Sequence, residues 1–168
     1  MWLKRAEEWI ERITRPVVSL LKITAMGILL IMMLLTATDV ILRYVFNRPL
    51  TGAVEIVEFM MAVMVSFGIA YCAMIGGHVS VDIVVMNFSK KTQAIIESIT
   101  SCAALVFFIL ITWQNVIYVE DNYLSKLKTP VLHIAVYPFV ALVAIGLAAL
   151  CLVLLLLFIR NLSAAVAK

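Results

Sequence analysis

The stretch VSLLKITAMGILLIMMLLTATDVILRY, residues 18–44, decides the fold class. Between Lys22 and Asp39 it carries no charged side chain. As a helix rising ~1.5 Å per residue it exceeds the ~30 Å hydrocarbon core of a bilayer, so some tilt is expected. Three further apolar blocks follow at about 54–75, 94–118 and 136–159. Lipid satisfies no backbone N–H or C=O group, so such blocks must cross as helices that close their own hydrogen bonds. The expected architecture is an all-α membrane protein forming a single domain over 1–168. It has four tilted transmembrane helices, an N-terminal interfacial amphipathic helix and a short cytoplasmic interfacial helix.

Composition agrees with lipid as the solvent. Of the 168 residues 65% are hydrophobic and 14% charged, against roughly half and a quarter in a soluble domain. The net charge of +3 comes from Lys and Arg at the helix ends, where topology rules place them, and points to no nucleic acid. Cys72, Cys102 and Cys151 each stand alone in an apolar block. They read as small buried hydrophobes rather than as a disulfide or metal set.

Residues 1–15, MWLKRAEEWIERITR, put Trp2, Ala6, Trp9 and Ile13 on one helical face and charge on the other. This predicts an amphipathic helix on the membrane surface anchored by Trp2 and Trp9, with Pro16 suited to a bend into the bilayer. The mixed charge of this arm does not suit a cleaved signal peptide, and the first helix is expected to remain in the mature protein. Between spans two and three, GGHVSVDIVVMNFSKK (76–91) sets Val81, Val84, Val85 and Phe88 on one face. An interfacial helix over about 81–89 is expected there, capped by Ser80, with His78 and Asp82 at the cytoplasmic interface. Nine of the 13 Lys and Arg residues lie on the side of the two termini and four on the other. Both termini are therefore expected in the cytoplasm.

Charge at membrane depth has to pair, reach the interface or serve a function. Asp39 and Arg43 are spaced as a helical ion pair near the outer end of the first span. Glu55 and Glu58 open the second. With Arg48 in the short turn between, these five residues can form a periplasmic charge cluster. It either locks the hairpin or offers a docking surface for a partner. A proton relay through Glu55 or Glu58 is disfavoured because both lie within two turns of the helix start. His78 and His133, the two histidines, fall at opposite membrane faces, which excludes a haem held between helices. No phosphate-binding loop, GxSxG elbow or HExxH motif is present, and no catalytic residues are expected. Tyr44, Trp113, Tyr118, Tyr123 and Tyr137 suit an outer aromatic belt. Gln114 and Asn115 are expected to hydrogen-bond to a neighbouring helix or to headgroups. No internal repeat is visible, which weighs against a complete inverted-repeat transporter.

DVILRYVFNRP (39–49), followed by GAVEIVEFMMAVMVSFGIAYCAMIGGHVSVDIVV (52–85), resembles the small, DctQ-like membrane subunit of tripartite ATP-independent periplasmic (TRAP) transporters. That family shares an Asp…Arg-Tyr…Asn-x-Pro end to the first span, a Glu pair opening the second and a Gly-x-His-x-x-x-Asp segment. Thr129-Pro130, Pro138 and Gly146 look like its approach to the fourth helix. The resemblance implies a non-enzymatic subunit in the bacterial inner membrane. A large elevator-type subunit, here expected to be a separate polypeptide, would carry substrate and sodium, and a soluble periplasmic protein would deliver an organic acid such as a dicarboxylate or sialic acid. No cofactor is expected in this chain, and sodium is expected in the large partner. The alternatives are a self-contained small proton-coupled multidrug-type transporter and a membrane oxidoreductase.

Overall fold

A computed structural model describes the backbone of residues 2–75 and 90–166 and the side chains of residues 12, 14–75 and 99–160. The helix expected at 81–89, with His78, Ser80 and Asp82, lies outside the described residues, as do the side chains of Trp2 and Trp9. The described chain forms α1 (Trp2–Val45), α2 (Ala53–Met74), α3 (Lys90–Leu124) and α4 (Tyr137–Val166). Among the described residues four helical stretches are long and apolar enough to cross a membrane: Thr14–Val45, Ala53–Met74, Ile99–Leu124 and Tyr137–Arg160. The all-α membrane architecture follows.

Helix α1 passes from the amphipathic stretch into its span without a break, with Pro16 inside it. Proline removes one i→i−4 hydrogen bond, and the bonds on either side carry the helix past it. Its 44 residues rise about 66 Å, roughly twice the hydrocarbon thickness, so much of it slopes or projects beyond the lipid tails. Helix α3 outlasts the apolar span read from sequence and runs to Leu124. Its end is tied by Asn122 Nδ2 donating to the Tyr118 carbonyl at 2.6 Å and Ser125 N–H donating to that of Asp121 at 2.9 Å.

Helix α4 is the hub. It packs against α1, α2 and α3, while α1 lies on α2 and α3 joins mainly through α4. The core takes Val18, Leu21 and Ala25 from α1, Val63, Phe67, Ala70 and Ala73 from α2, and Ala149, Leu150, Val153 and Leu154 from α4. These recur at three- and four-residue steps, the spacing of a single helical face. Among the described residues, α3 adds only the partly buried Ala104, Leu105 and Phe108 to it.

Most of the remaining apolar surface faces outward, including Leu20, Met33 and Leu110, each more than 60% exposed. Lipid tails are as apolar as leucine, so sequestering such residues gains little, and close packing must hold the helices together. One such close approach is between α2 and α4. A Cβ on Gly146 would stand 2.7 Å from the Ser66 hydroxyl oxygen and 2.8 Å from Phe67 Cδ1. Ser66 is itself satisfied, donating to the Val63 carbonyl at 2.8 Å. The same absence of a burial drive corrects the reading of the cysteines. Cys72 and Cys102 are exposed on the bundle and Cys151 is half-buried, where Thr112 Oγ1 lies 3.5 Å from its sulfur.

Replacing Gly146 by valine should destabilise the purified chain by about 1–3 kcal/mol through overpacking. Gly27→Ala, where an added Cβ meets nothing within 4 Å, should leave it as stable or gain roughly 0.5–1 kcal/mol. Helicity followed through thermal or denaturant unfolding in detergent checks both.

Candidate functional site

The polar residues picked out by sequence lie where α1, α2 and the α3–α4 loop come together at one end of the bundle. Asp39 anchors the α1–α2 turn. Helix α1 ends at Val45, Asn47 adopts a left-handed conformation with φ 54°, and the Arg48 N–H reaches back to the Leu42 carbonyl at 3.2 Å. Asparagine tolerates that conformation better than most residues, which suits it to end a helix. The returning chain then brings the Leu50 N–H to Asp39 Oδ1 at 2.8 Å, while Arg43 Nη2 donates to Oδ2 at 2.8 Å. The Asp39 side chain is 11% exposed and that of Arg43 56%. The acid is thus the buried hub and the cation its outer partner.

Glu55 does something different from what its neighbours in sequence suggest. In the first turn of α2, its carboxylate accepts the Val131 N–H at 2.9 Å and the Leu132 N–H at 3.0 Å. Thr129 and His133 adjoin the same carboxylate. The loop is shaped for this. An isolated antiparallel bridge pairs Lys128 with Ala135. Thr129 N–H donates to the Ile134 carbonyl at 2.9 Å, and Ile134 N–H donates to Thr129 Oγ1 at 3.1 Å. His133 sits at positive φ, 55°. Two successive amides then converge on one anion, a small backbone nest filled by the chain's own carboxylate. Gly52 makes room for it: at φ 84° it precedes α2, and a Cβ there would collide with the Leu132 side chain. Nearby, Phe59 of α2 stacks on Phe139 of α4 with centroids 4.7 Å apart.

The five-residue cluster therefore divides. Asp39 and Arg43 pair, and Glu55 is engaged by the loop rather than by either of them. The side chains of Arg48 and Glu58 are exposed, and among the described residues no hydrogen bond or ion pair engages them. Of the aromatic belt, Tyr44, Trp113, Tyr118 and Tyr123 are at least half exposed, and Tyr123 meets Tyr137 edge-on at 5.5 Å. Asn115 Oδ1, expected to bond a neighbouring helix, is buried with no partner among the described residues. There, too, no three His, Cys, Asp or Glu side chains meet closely enough to hold a metal ion. Sequence reasoning missed the amides of Leu50, Val131 and Leu132, since every residue but proline offers the same N–H. The signals that could have found the loop were Gly52 just ahead of a glutamate and Thr129-Pro130 ahead of α4.

Asp39→Ala should cost about 2 kcal/mol, because the Leu50 amide loses a charged acceptor. Arg43→Gln should cost less than about 1 kcal/mol, as an exposed ion pair does. Unfolding of each variant in detergent measures the contrast. For Glu55, hydrogen exchange at the Val131 and Leu132 amides should quicken in Glu55→Gln and further in Glu55→Ala, with the α1–α2 turn unchanged.

Among known proteins, the family model described as the DctQ component of tripartite ATP-independent periplasmic transporters matches residues 32–164. No curated protein matches the chain. The match starts within α1, takes in the Asp39 turn, the Glu55 contact and the loop, and ends within α4. Four membrane-length helices and a match over most of their length make this chain a member of the DctQ component family of the tripartite ATP-independent periplasmic transporters.

Proposed function

We propose that the chain is the small, non-catalytic membrane subunit of a sodium-coupled transporter for organic acids. It braces the stationary scaffold of a large elevator-type subunit and helps to dock the soluble periplasmic substrate-binding protein. The observation that carries this reading is the distribution of charge. Residues 23–38, 59–74, 99–119 and 138–159 contain no Asp, Glu, Lys, Arg or His. Ionisable side chains at mid-depth are the usual mark of an ion or substrate pathway, and these helices carry theirs near the ends. Substrate and sodium then travel through the partner, and this chain needs neither a cofactor nor a catalytic group.

The excess of Lys and Arg on the side of the termini supports an N-in, C-in orientation in the bacterial inner membrane. On that orientation the Asp39 turn and the Glu55 contact are periplasmic. Asp39 and Glu55 serve to hold this end rigid. Arg48 and Glu58, exposed beside them, are the charges offered to a partner. Within the bilayer an apolar groove runs along α1 past Leu29, Met33, Thr36 and Val40 to Val57 of α2. The Thr36 hydroxyl donates to the Met32 carbonyl at 2.8 Å, which keeps that surface non-polar and suited to a helix of the large subunit.

Co-expression with the large subunit and reconstitution in proteoliposomes tests the assignment. Uptake should require both membrane chains and the binding protein. Arg48→Glu and Glu58→Lys should each lower it roughly fivefold with assembly intact, as expected for an interfacial ion pair worth about 1 kcal/mol. Unchanged uptake with unchanged assembly would remove the docking role. Uptake by this chain alone would replace the whole reading with that of a self-contained pump.

A further inference from the structure

Helix α3 is the least enclosed of the four spans. Within Ile99–Leu124 only Asn122 is buried, and the helix joins the bundle mainly through α4. Two carboxamides, Gln114 and Asn115, lie in that span. At ~1.5 Å per residue both fall within about 5 Å of its midpoint. The contact with α4 gives the same depth. Thr112 Oγ1 stands 3.5 Å from Cys151 Sγ, and equal rises along the antiparallel pair then set Gln114 and Asn115 level with Ala149 and Ala148, the middle of the Tyr137–Arg160 span. Both carboxamides are therefore at the centre of the hydrocarbon, out of reach of headgroups.

Lipid tails offer them neither donor nor acceptor. The surrounding turns of α3 and α4 are all described, and among the described residues neither carboxamide has a hydrogen-bond partner. Their settings differ. Asn115 Oδ1 is closed in against the bundle, whereas Gln114 is exposed and open to another helix. On its stripe stand Ala103, Phe107, Leu110 and Ile117, all exposed and spaced with it at alternating steps of four and three. This is the pattern of a left-handed helix seam, one polar residue set in an apolar line. A carboxamide both donates and accepts. A two-fold axis along the membrane normal would thus set Gln114 against its own copy at equal depth and satisfy both groups. A different helix would need a polar group of its own at that depth, which a second copy brings by symmetry. Glutamine pairs of this kind join helices within membranes. Helix α4 lies between α3 and the α1–α2 pair, so the seam and the α1–α2 groove can be occupied together.

We propose that two copies of this chain pair in parallel through α3, the Gln114 carboxamides hydrogen-bonded to each other and Ala103, Phe107, Leu110 and Ile117 closing the seam. The pairing is a property of this chain and does not depend on the transport role proposed above.

Single-molecule photobleaching of the labelled full chain, in phosphatidylethanolamine and phosphatidylglycerol liposomes over a range of protein densities, measures the pairing. Dimers should form at high density and separate on dilution, and monomers at every density overturn the proposal. Gln114→Leu keeps the seam apolar and should weaken pairing roughly tenfold. Gln114→Asn retains a carboxamide and should restore most of it. Pairing as tight in Gln114→Leu as in the unaltered chain overturns the proposal. Asn115→Ala, which removes the enclosed carboxamide, should leave pairing unchanged, and loss of the dimer there overturns the assignment to Gln114. A photoreactive phenylalanine analogue in place of Phe107, in membranes that also hold the large subunit, should cross-link to a second copy of this chain. Cross-linking to the large subunit instead would mean that α3 faces that partner and would overturn the pairing.

Discussion

The structure depends on one close approach, that of α4 to α2 at Gly146. In a bilayer the outward-facing leucines lose nothing by staying in lipid, so the bundle holds only where helices come near enough for dense dispersion contact. Gly146 lets α4 settle onto Ser66 and Phe67, and Ala70, Ala73, Leu150 and Val153 below that point reach full or nearly full burial. Helix α3 depends on the same contact, because it joins mainly through α4. So does α1, whose Val18, Leu21 and Ala25 complete the core formed by the other two helices.

The α2–α4 pair is tied a second time at its Glu55 end. The carboxylate holds the two amides that lead into α4, Leu132 lies over Gly52, and Phe59 stacks on Phe139. Helix α1 is fixed to the same end by Asp39, which holds the turn into α2 through the Leu50 amide. If the chain braces a moving partner, as proposed above, ends that do not shift under force are what that role needs. Asp39 and Glu55 are spent on backbone amides at this end, while the Arg43, Arg48 and Glu58 side chains are exposed.

The number of membrane-length helices, the all-α class and the polar residues worth examining were legible in the chain. Uninterrupted apolar stretches of bilayer length admit few other structures, and a charged residue in such a stretch stands out. The grouping of those charges was not legible. Spacing placed Glu55 and Glu58 together at one helix start, yet Glu55 is taken up by a loop 76 residues away in sequence while Glu58 stays exposed. The cysteines were misread for a related reason: an apolar block in lipid has no obligatory inside, so its composition does not tell which face is buried.

By itself, the sequence determined that the chain crosses a membrane as helices and where its polar groups lie along them. Hydrogen-bond satisfaction and hydrocarbon thickness act on each segment separately, so they can be read segment by segment. Only the tertiary structure decided which helix is the hub, which glycine permits contact and which amides answer Asp39 and Glu55. Those outcomes rest on close packing between segments distant in sequence and on backbone N–H groups that every residue but proline shares.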